Sequence, residues 1–339
     1  MTATVDTLGS GRELVSAALR DAVARLDPAM RLVVAYHLGW CDPHGNPLDG
    51  NGGKAVRPTM ALLAAQACGA PAADALPGAV AVELVHNFSL VHDDLMDRDT
   101  ERRHRTTVWA VWDDATAVLA GDVMLSLAHE VLLDCDSPYA IQAGRVITTA
   151  TRELIRGQAQ DMAFEQRDDV RLPECVDMAL GKTGALLAAS AEVGAVLAGA
   201  TPTTAAAMSD YGRHVGLAFQ LVDDVLGIWG RPETTGKPVF SDLRAHKKSL
   251  PITWTVERGD GAGRRLAAWL VGAPDETTPE TELRAIAGLV EDAGARDWAL
   301  AQARRRIGLA ERALDSVPLQ DAPCAALRDL ARFILDREA

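Results

Sequence analysis

Two acidic pairs, each closing an apolar run, constrain this chain more than any other feature. The first is Leu90-Val91-His92-Asp93-Asp94-Leu95-Met96-Asp97, three carboxylates within five residues. Asp93 and Asp97 are four apart, so on a helix they share a face, with Cβ atoms about 6 Å apart. Like charges at that spacing repel unless a cation lies between them, and hard oxygen ligands on a rigid helix suit Mg²⁺. The second run is Phe219-Gln220-Leu221-Val222-Asp223-Asp224-Val225-Leu226-Gly227, and from Asp93 to Asp223 is 130 residues. Two such helices facing each other would make a carboxylate-lined mouth over an apolar pit. That arrangement suits Mg²⁺ bridging a diphosphate whose hydrocarbon tail points down between the helices.

The ordered pair of motifs resembles the trans-isoprenyl diphosphate synthases, which are all-helical head-to-tail prenyltransferases. The match runs from about Gly52 to Pro251. Composition agrees: 48% of residues are apolar and only 4% aromatic, which favours helices packed on helices over a sheet. The expected fold is all-α, a single-domain helical bundle around a central active-site cavity. Residues 1–10 are expected to be disordered and residues 11–339 to form the domain. Helical spacing over Arg12 to Leu38 predicts one helix plus a turn, a Gly/Pro/Asn/Asp-rich loop covers 39–58, and Leu76 to Arg98 is the helix of the first motif.

The resemblance assigns roles along the chain. Gly52-Gly53-Lys54-Ala55-Val56-Arg57-Pro58 stands at a helix start, where the dipole favours an anion. In the family this segment holds the diphosphate of isopentenyl diphosphate, which implicates Lys54 and Arg57. Ala55 replaces a commoner Arg there. One helical stripe carries Val82, His86, Ser89 and Asp93. The family position of His86 contacts isopentenyl diphosphate, whereas His92 has no matching role and reads as structural. Arg102 is expected to reach the allylic diphosphate and Arg103 isopentenyl diphosphate, the planar guanidinium matching phosphate oxygens. Thr106 replaces the family's usual Pro, a departure expected to loosen this loop.

Gln158 and Asp161 match a segment lining the metal and diphosphate site. After a kink at Gly181, Lys182 is expected to bind the departing diphosphate, and Thr183 to accept a hydrogen bond near the developing cation. Gln220 opens the second motif and joins the substrate-binding set. Lys237, in a Gly/Pro-rich loop, and Lys247 match positions contacting the allylic diphosphate. Lys182, Thr183, Arg102 and Lys237 are the catalytic set. The metal set is Asp93, Asp94, Asp97, Asp161, Asp223 and Asp224, holding three Mg²⁺ ions. Asp113-Asp114 reads as helix N-terminal dressing and Asp168-Asp169 as a solvated turn.

The reaction implied is ionisation of an allylic diphosphate followed by attack of isopentenyl diphosphate, and it needs no protein nucleophile. Phe88, with small Ser89 beside it, would block the pit and stop elongation at geranylgeranyl diphosphate, with farnesyl diphosphate next. The second motif is incomplete: Gly227 stands where a third Asp is usual, and Arg231 where an Asp often follows Gly. Two alternatives stay open on that account, a class I terpene cyclase on the same fold and a non-catalytic partner subunit. A cyclase has no use for Lys54, Arg57, His86 or Arg103, and the intact first motif argues against a silent partner.

A net charge of −13 argues against nucleic acid as a partner. Five scattered cysteines without a CxxC read as reduced thiols of a cytoplasmic protein. The apolar run from Gly184 to Ala200 is broken by Ser190 and Glu192 and reads as a bundle helix, so no integral membrane segment is expected. By resemblance the chain is expected to be a homodimer.

Overall fold

The structure, a computed structural model, describes residues 2–48, 55–230, 239–271 and 277–335, with backbone alone for 2–10. It is built almost entirely of helices: α1 (Thr2–Val23), α2 (Pro28–His37), α3 (Val56–Ala67), α4 (Leu76–Met96), α5 (Asp114–Leu133), α6 (Ala140–Glu165), α7 (Leu172–Ala179), α8 (Ala185–Leu197), α9 (Pro202–Trp229), α10 (Leu250–Glu257), α11 (Gly261–Leu270), α12 (Glu280–Asp292), α13 (Ala295–Asp315) and α14 (Asp321–Leu335). The strands among the described residues are a two-residue pair, β1 (Glu101–Arg102) and β2 (Arg105–Thr106), joined antiparallel. The all-α expectation is met.

Local chemistry sets many of the helix starts. Asp27 caps α2 by accepting from the Ala29 and Met30 N–H groups, with Pro28 in the first turn. Asp113 caps α5 through the Thr116 N–H, and Asp260 caps α11 through the Gly263 N–H. At the N-terminus the outcome differs from expectation. Helix α1 already begins at Thr2. No Pro or Gly precedes Gly9, so a helix nucleated further along extends backward one bond per residue.

The chain divides into two compact units. The first comprises Met1–Thr151, Ala189–Ser209 and Ser316–Leu330. Its core is built on α4, where Val82, Leu84, Val85 and Val91 are buried, with Met124 and Leu127 of α5. Gly194 of α8 lies against the main chain of Ala61 in α3, so close that any Cβ would overlap the Ala61 carbonyl. That approach explains the small-residue run of α8: helices meeting backbone to backbone leave no room for side chains between them. The stretch Leu172–Leu197 is long and apolar enough to cross a membrane, but its most apolar 18-residue window is 83% buried within the protein, as a core helix would be. Helix α5 also passes on length and hydropathy, and its corresponding window is 44% buried.

The second unit comprises Arg152–Ala188, Asp210–Asp315 and Ala331–Ala339. Ile228, Leu243, Ile252, Leu266, Leu283 and Val290 are fully buried together in its core. Trp254 and Trp298 stack over it, 5.2 Å between ring centroids. Between α7 and α8 the chain makes one π turn, Leu180–Gly184, where the sequence led us to expect a kink.

Candidate active site

In the first unit α4 delivers the first acidic motif as one helical turn and stops at Asp97, which serves as its C-cap. Asp97 is exposed and Asp93 partly so, while Asp94 turns inward and is only 2% exposed. Asp94 accepts from Arg102 Nε at 2.5 Å, and Arg102 Nη2 stands 3.8 Å from Asp93. Burial pushes the Asp94 carboxyl up to about 6, against the pull of Arg102. As placed, Asp94 therefore holds Arg102, and the carboxylates offered outward are Asp93 and Asp97.

Arg102 sits on the β hairpin, whose turn residues Arg103 and His104 both have positive φ, 52° and 60°. Such a turn normally takes Asn-Gly. Strained non-glycine residues at a turn are commonest where function holds them, and Arg103 is a predicted substrate residue. Arg105 anchors the hairpin to the first unit, donating to the Tyr36 carbonyl at 2.7 Å and the Cys41 carbonyl at 3.1 Å. Thr106 pairs with Glu101, and its carbonyl accepts from Tyr36 Oη at 2.6 Å. The expected loosening at Thr106 is thus offset: the loop is pinned on both sides. His37, Asp94, Arg102, Arg103 and Arg105 line a cavity of about 90 Å³ with a net positive wall.

His86 and Arg57, each assigned to isopentenyl diphosphate by resemblance, lie side by side. Arg57 Nη1 donates to His86 Nε2 at 3.4 Å. Burial first, and then Arg57 and Arg103, hold the imidazole well below its usual pKa, so His86 is the neutral acceptor that orients Arg57. Ser89 Oγ donates to the His86 carbonyl at 2.8 Å, and Phe88 is buried.

In the second unit the π turn brings Lys182 and Thr183 onto the site face. Gly157 of α6 makes this possible, because a Cβ there would collide with the Lys182 main chain. Lys182 Nζ lies 2.7 Å from Asp161, and Lys247 Nζ lies 4.0 Å from it. Burial works to raise the Asp161 carboxyl, yet the two lysines hold it below the usual range. Thr183 Oγ1 donates to Gln220 at 2.6 Å, and Gln220 Nε2 donates to Asp224 at 2.7 Å. Here Thr183 is a donor, whereas the sequence reading had it accepting. Asp224 is 5% exposed and also accepts from the Leu250 N–H at 2.8 Å. Burial pushes its carboxyl up to about 7, and nearby Asp242 adds to the rise. Asp223 is exposed and Gln158 buried. Each acidic pair thus has the same division, one carboxylate outward and one turned in to brace a neighbour.

Asp242 is the residue that sequence reasoning missed. Its carboxylate lies over Gly227, where a Cβ would overlap it. The space of the absent third aspartate is filled by an acid from the next segment. The signal was available in the gap itself: a vacant acidic position followed by an unassigned Asp before two lysines.

Lys54, Lys237 and Arg231 lie outside the described residues. Asp113 and Asp114 do what helix starts do, the first capping α5 and the second pairing with Arg98 at 2.9 Å. Asp169 pairs with Arg167 in an exposed turn.

Among the described residues no three metal-ligating side chains converge on one point. Mg²⁺ is typically held by one or two carboxylates and completed by water and phosphate oxygens. Asp93, partly exposed, and Asp97, exposed, are hard oxygen donors one helical turn apart that could hold such an ion.

Comparison with known proteins agrees with this geometry. Residues 44–287 match the polyprenyl synthetase family. A (2E,6E)-farnesyl diphosphate synthase of Mycobacterium tuberculosis H37Rv is 61% identical, over 99% of this chain and 94% of its own. A geranylgeranyl diphosphate synthase of the same organism is 40% identical, over 94% of this chain and 90% of its own. The crystal structure of a polyprenyl synthetase from Streptomyces coelicolor A3(2) superimposes with a TM-score of 0.93 at 51% identity, covering 97% of this chain and 98% of that one.

Proposed function

The chain belongs to the polyprenyl synthetase family, and from that premise we propose that it makes farnesyl diphosphate by condensing isopentenyl diphosphate with dimethylallyl and then geranyl diphosphate. It is a transferase, a trans-prenyl diphosphate synthase. The choice of product rests on the 61% relative, which carries that name along almost the whole chain. Geranylgeranyl diphosphate is the second reading, favoured by buried Phe88 with small Ser89 beside it and by the 40% relative.

The observation that carries the reaction is the outward pair Asp93 and Asp97 with Arg102 braced behind them by Asp94. Bound Mg²⁺, three ions by analogy with the family, would neutralise charge on the diphosphate as it leaves. The first unit supplies Arg57, His86 and Arg103 for isopentenyl diphosphate, and Lys54 joins them by family role. The second supplies Asp223, Asp161, Lys182 and Lys247 for the allylic diphosphate, with Lys237 by family role. When the allylic C–O bond breaks, its electron pair leaves with the diphosphate. Lys182 and Lys247, fixed beside Asp161, favour this charge without reorganising, and Arg102 joins them by family role. The isopentenyl double bond then attacks the allylic carbon, and the carbon beside the new cation loses a proton to the released diphosphate. Asp242, over Gly227, serves in place of the missing aspartate.

Helix α5 leaves Val118, Leu119 and Leu133 exposed, and Ile141 of α6 stands beside Leu133 along a groove through His129 and Thr148. This apolar face is the surface for a second copy in a homodimer. Five free cysteines suit a cytoplasmic enzyme, and residues 11–339 act as one catalytic domain. The test is product analysis with dimethylallyl, geranyl and farnesyl diphosphates as separate starters. Extension of the first two, with farnesyl diphosphate left unextended, supports the farnesyl reading. Efficient extension of farnesyl diphosphate selects geranylgeranyl diphosphate instead.

A further inference from the structure

Beside its metal face, α4 carries a second working face. Phe88 and His92 are four apart, so they stack along it. Phe88 is 5% exposed, and the His92 imidazole meets its ring edge-on, with centroids 5.3 Å apart and planes at 80°. From the other side, His92 Nε2 donates to the Val118 carbonyl of α5 at 3.1 Å. The same imidazole lies over Gly121, where an added Cβ would overlap three of its ring atoms. One ring is therefore held by a hydrogen bond, a glycine seat and an aromatic edge, all within the first unit.

A histidine that merely filled the core would need none of this. The Val118 carbonyl lies inside α5, where the helix already provides it with an N–H partner four residues on. The bond from His92 thus satisfies no orphan group; what it does is orient the ring. Gly121 in a helix interior is destabilising relative to alanine, and the space it leaves is filled by this imidazole.

We infer that His92 is a positioning residue for product length, wedging Phe88 into the orientation that closes the floor of the hydrocarbon pit. The inference rests on the reading of Phe88 as that floor. Without the wedge, the space above Gly121 opens next to Phe88, and the phenyl ring can turn into it. The floor then drops and the product lengthens, while the diphosphate groups above are untouched.

The test compares Phe88→Ala, His92→Ala and the double variant, with labelled isopentenyl diphosphate and chain-length separation of products. His92→Ala is expected to shift products toward longer chains. The first condensation should keep its KM for isopentenyl diphosphate. The double variant should go no further than Phe88→Ala alone, because both act through one ring. If His92→Ala does not fold, His92→Gln serves, since it keeps a donor within reach of the Val118 carbonyl and lacks the ring edge; the same shift is expected. Longer products from Phe88→Ala but an unchanged profile from the His92 variants would overturn the inference and leave the floor intact. An unchanged profile from Phe88→Ala as well would remove the floor itself and the inference with it.

Discussion

Each acidic pair divides its labour between neighbouring residues, and that division is testable one side chain at a time. Asp93 is partly exposed and Asp94 is 2% exposed and bonded to Arg102. Asp93→Asn should lower kcat by about two orders of magnitude, as loss of one charge-stabilising group does, with the unfolding midpoint unchanged. Asp94→Asn should lower both, because it leaves a guanidinium without its buried counter-charge. Steady-state kinetics beside urea unfolding separates the two cases; equal stability of both variants would refute the division. His104 is a different kind of residue. It holds φ at 60° with a side chain 81% exposed. His104→Gly should stabilise the protein by about 1 kcal/mol, since a non-glycine residue in the left-handed region costs about that much. Chemical denaturation reads the change directly. The residue scale is also where the sequence was least legible. That Asp94 and Asp224 turn inward cannot be read from a DD dipeptide, in which both carboxylates look alike. His92 reads as structural until Gly121 and Val118 are placed beside it.

At the scale of elements, the long helices were legible because apolar periodicity and capping residues are local signals. Asp113 announces its helix, whereas the stretch over residues 12–38 reads as one helix and is split in two at Asp27-Pro28. The hairpin at residues 101–106 was not legible, since two-residue strands carry no alternation and Arg103-His104 is the wrong turn chemistry. At Leu180–Gly184 the sequence marks a kink through Gly181 but not that it is a π turn, whose cause lies elsewhere in the chain, at Gly157. That coupling is a prediction in itself. Gly157→Ala should press a methyl into the Lys182 main chain, costing about 1–3 kcal/mol as overpacking does. Its kcat should fall further than that of a surface variant of equal stability, because Lys182 and Thr183 move with the turn. A variant as active as wild type would uncouple the turn from the site.

For the whole molecule, buried histidines and buried carboxyls pull the pH dependence of stability in opposite directions. Burial, then Arg103 and Arg102, depress the His37 pKa from 6.5 to about 3, and His86 is depressed in the same way. Between those values the unfolded chain binds protons that the folded protein does not. The histidine contribution to stability is therefore full above pH 6.5 and falls as pH drops below it, by up to about 1.4 kcal/mol per pH unit for each, while the raised carboxyls of Asp94 and Asp224 bind protons in the folded state over the same range and offset it. Thermal unfolding followed from pH 7 to pH 5 should show His37→Gln gaining stability relative to wild type as the pH falls, and an unchanged difference across that range would contradict the assignment. The architecture as a class was readable from composition and motif order. The division into two compact units was not, because it depends on which distant helices pack together.

The central claim is that this chain uses its outward carboxylates to carry out a metal-dependent head-to-tail condensation. The measurement is incubation of the protein with geranyl diphosphate and labelled isopentenyl diphosphate, with Mg²⁺ and with Mg²⁺ chelated by EDTA. Label in a prenyl diphosphate one isoprene unit longer, formed only when Mg²⁺ is present, is the predicted result. No label in any prenyl product from folded protein with Mg²⁺, whichever allylic starter is supplied, would contradict it.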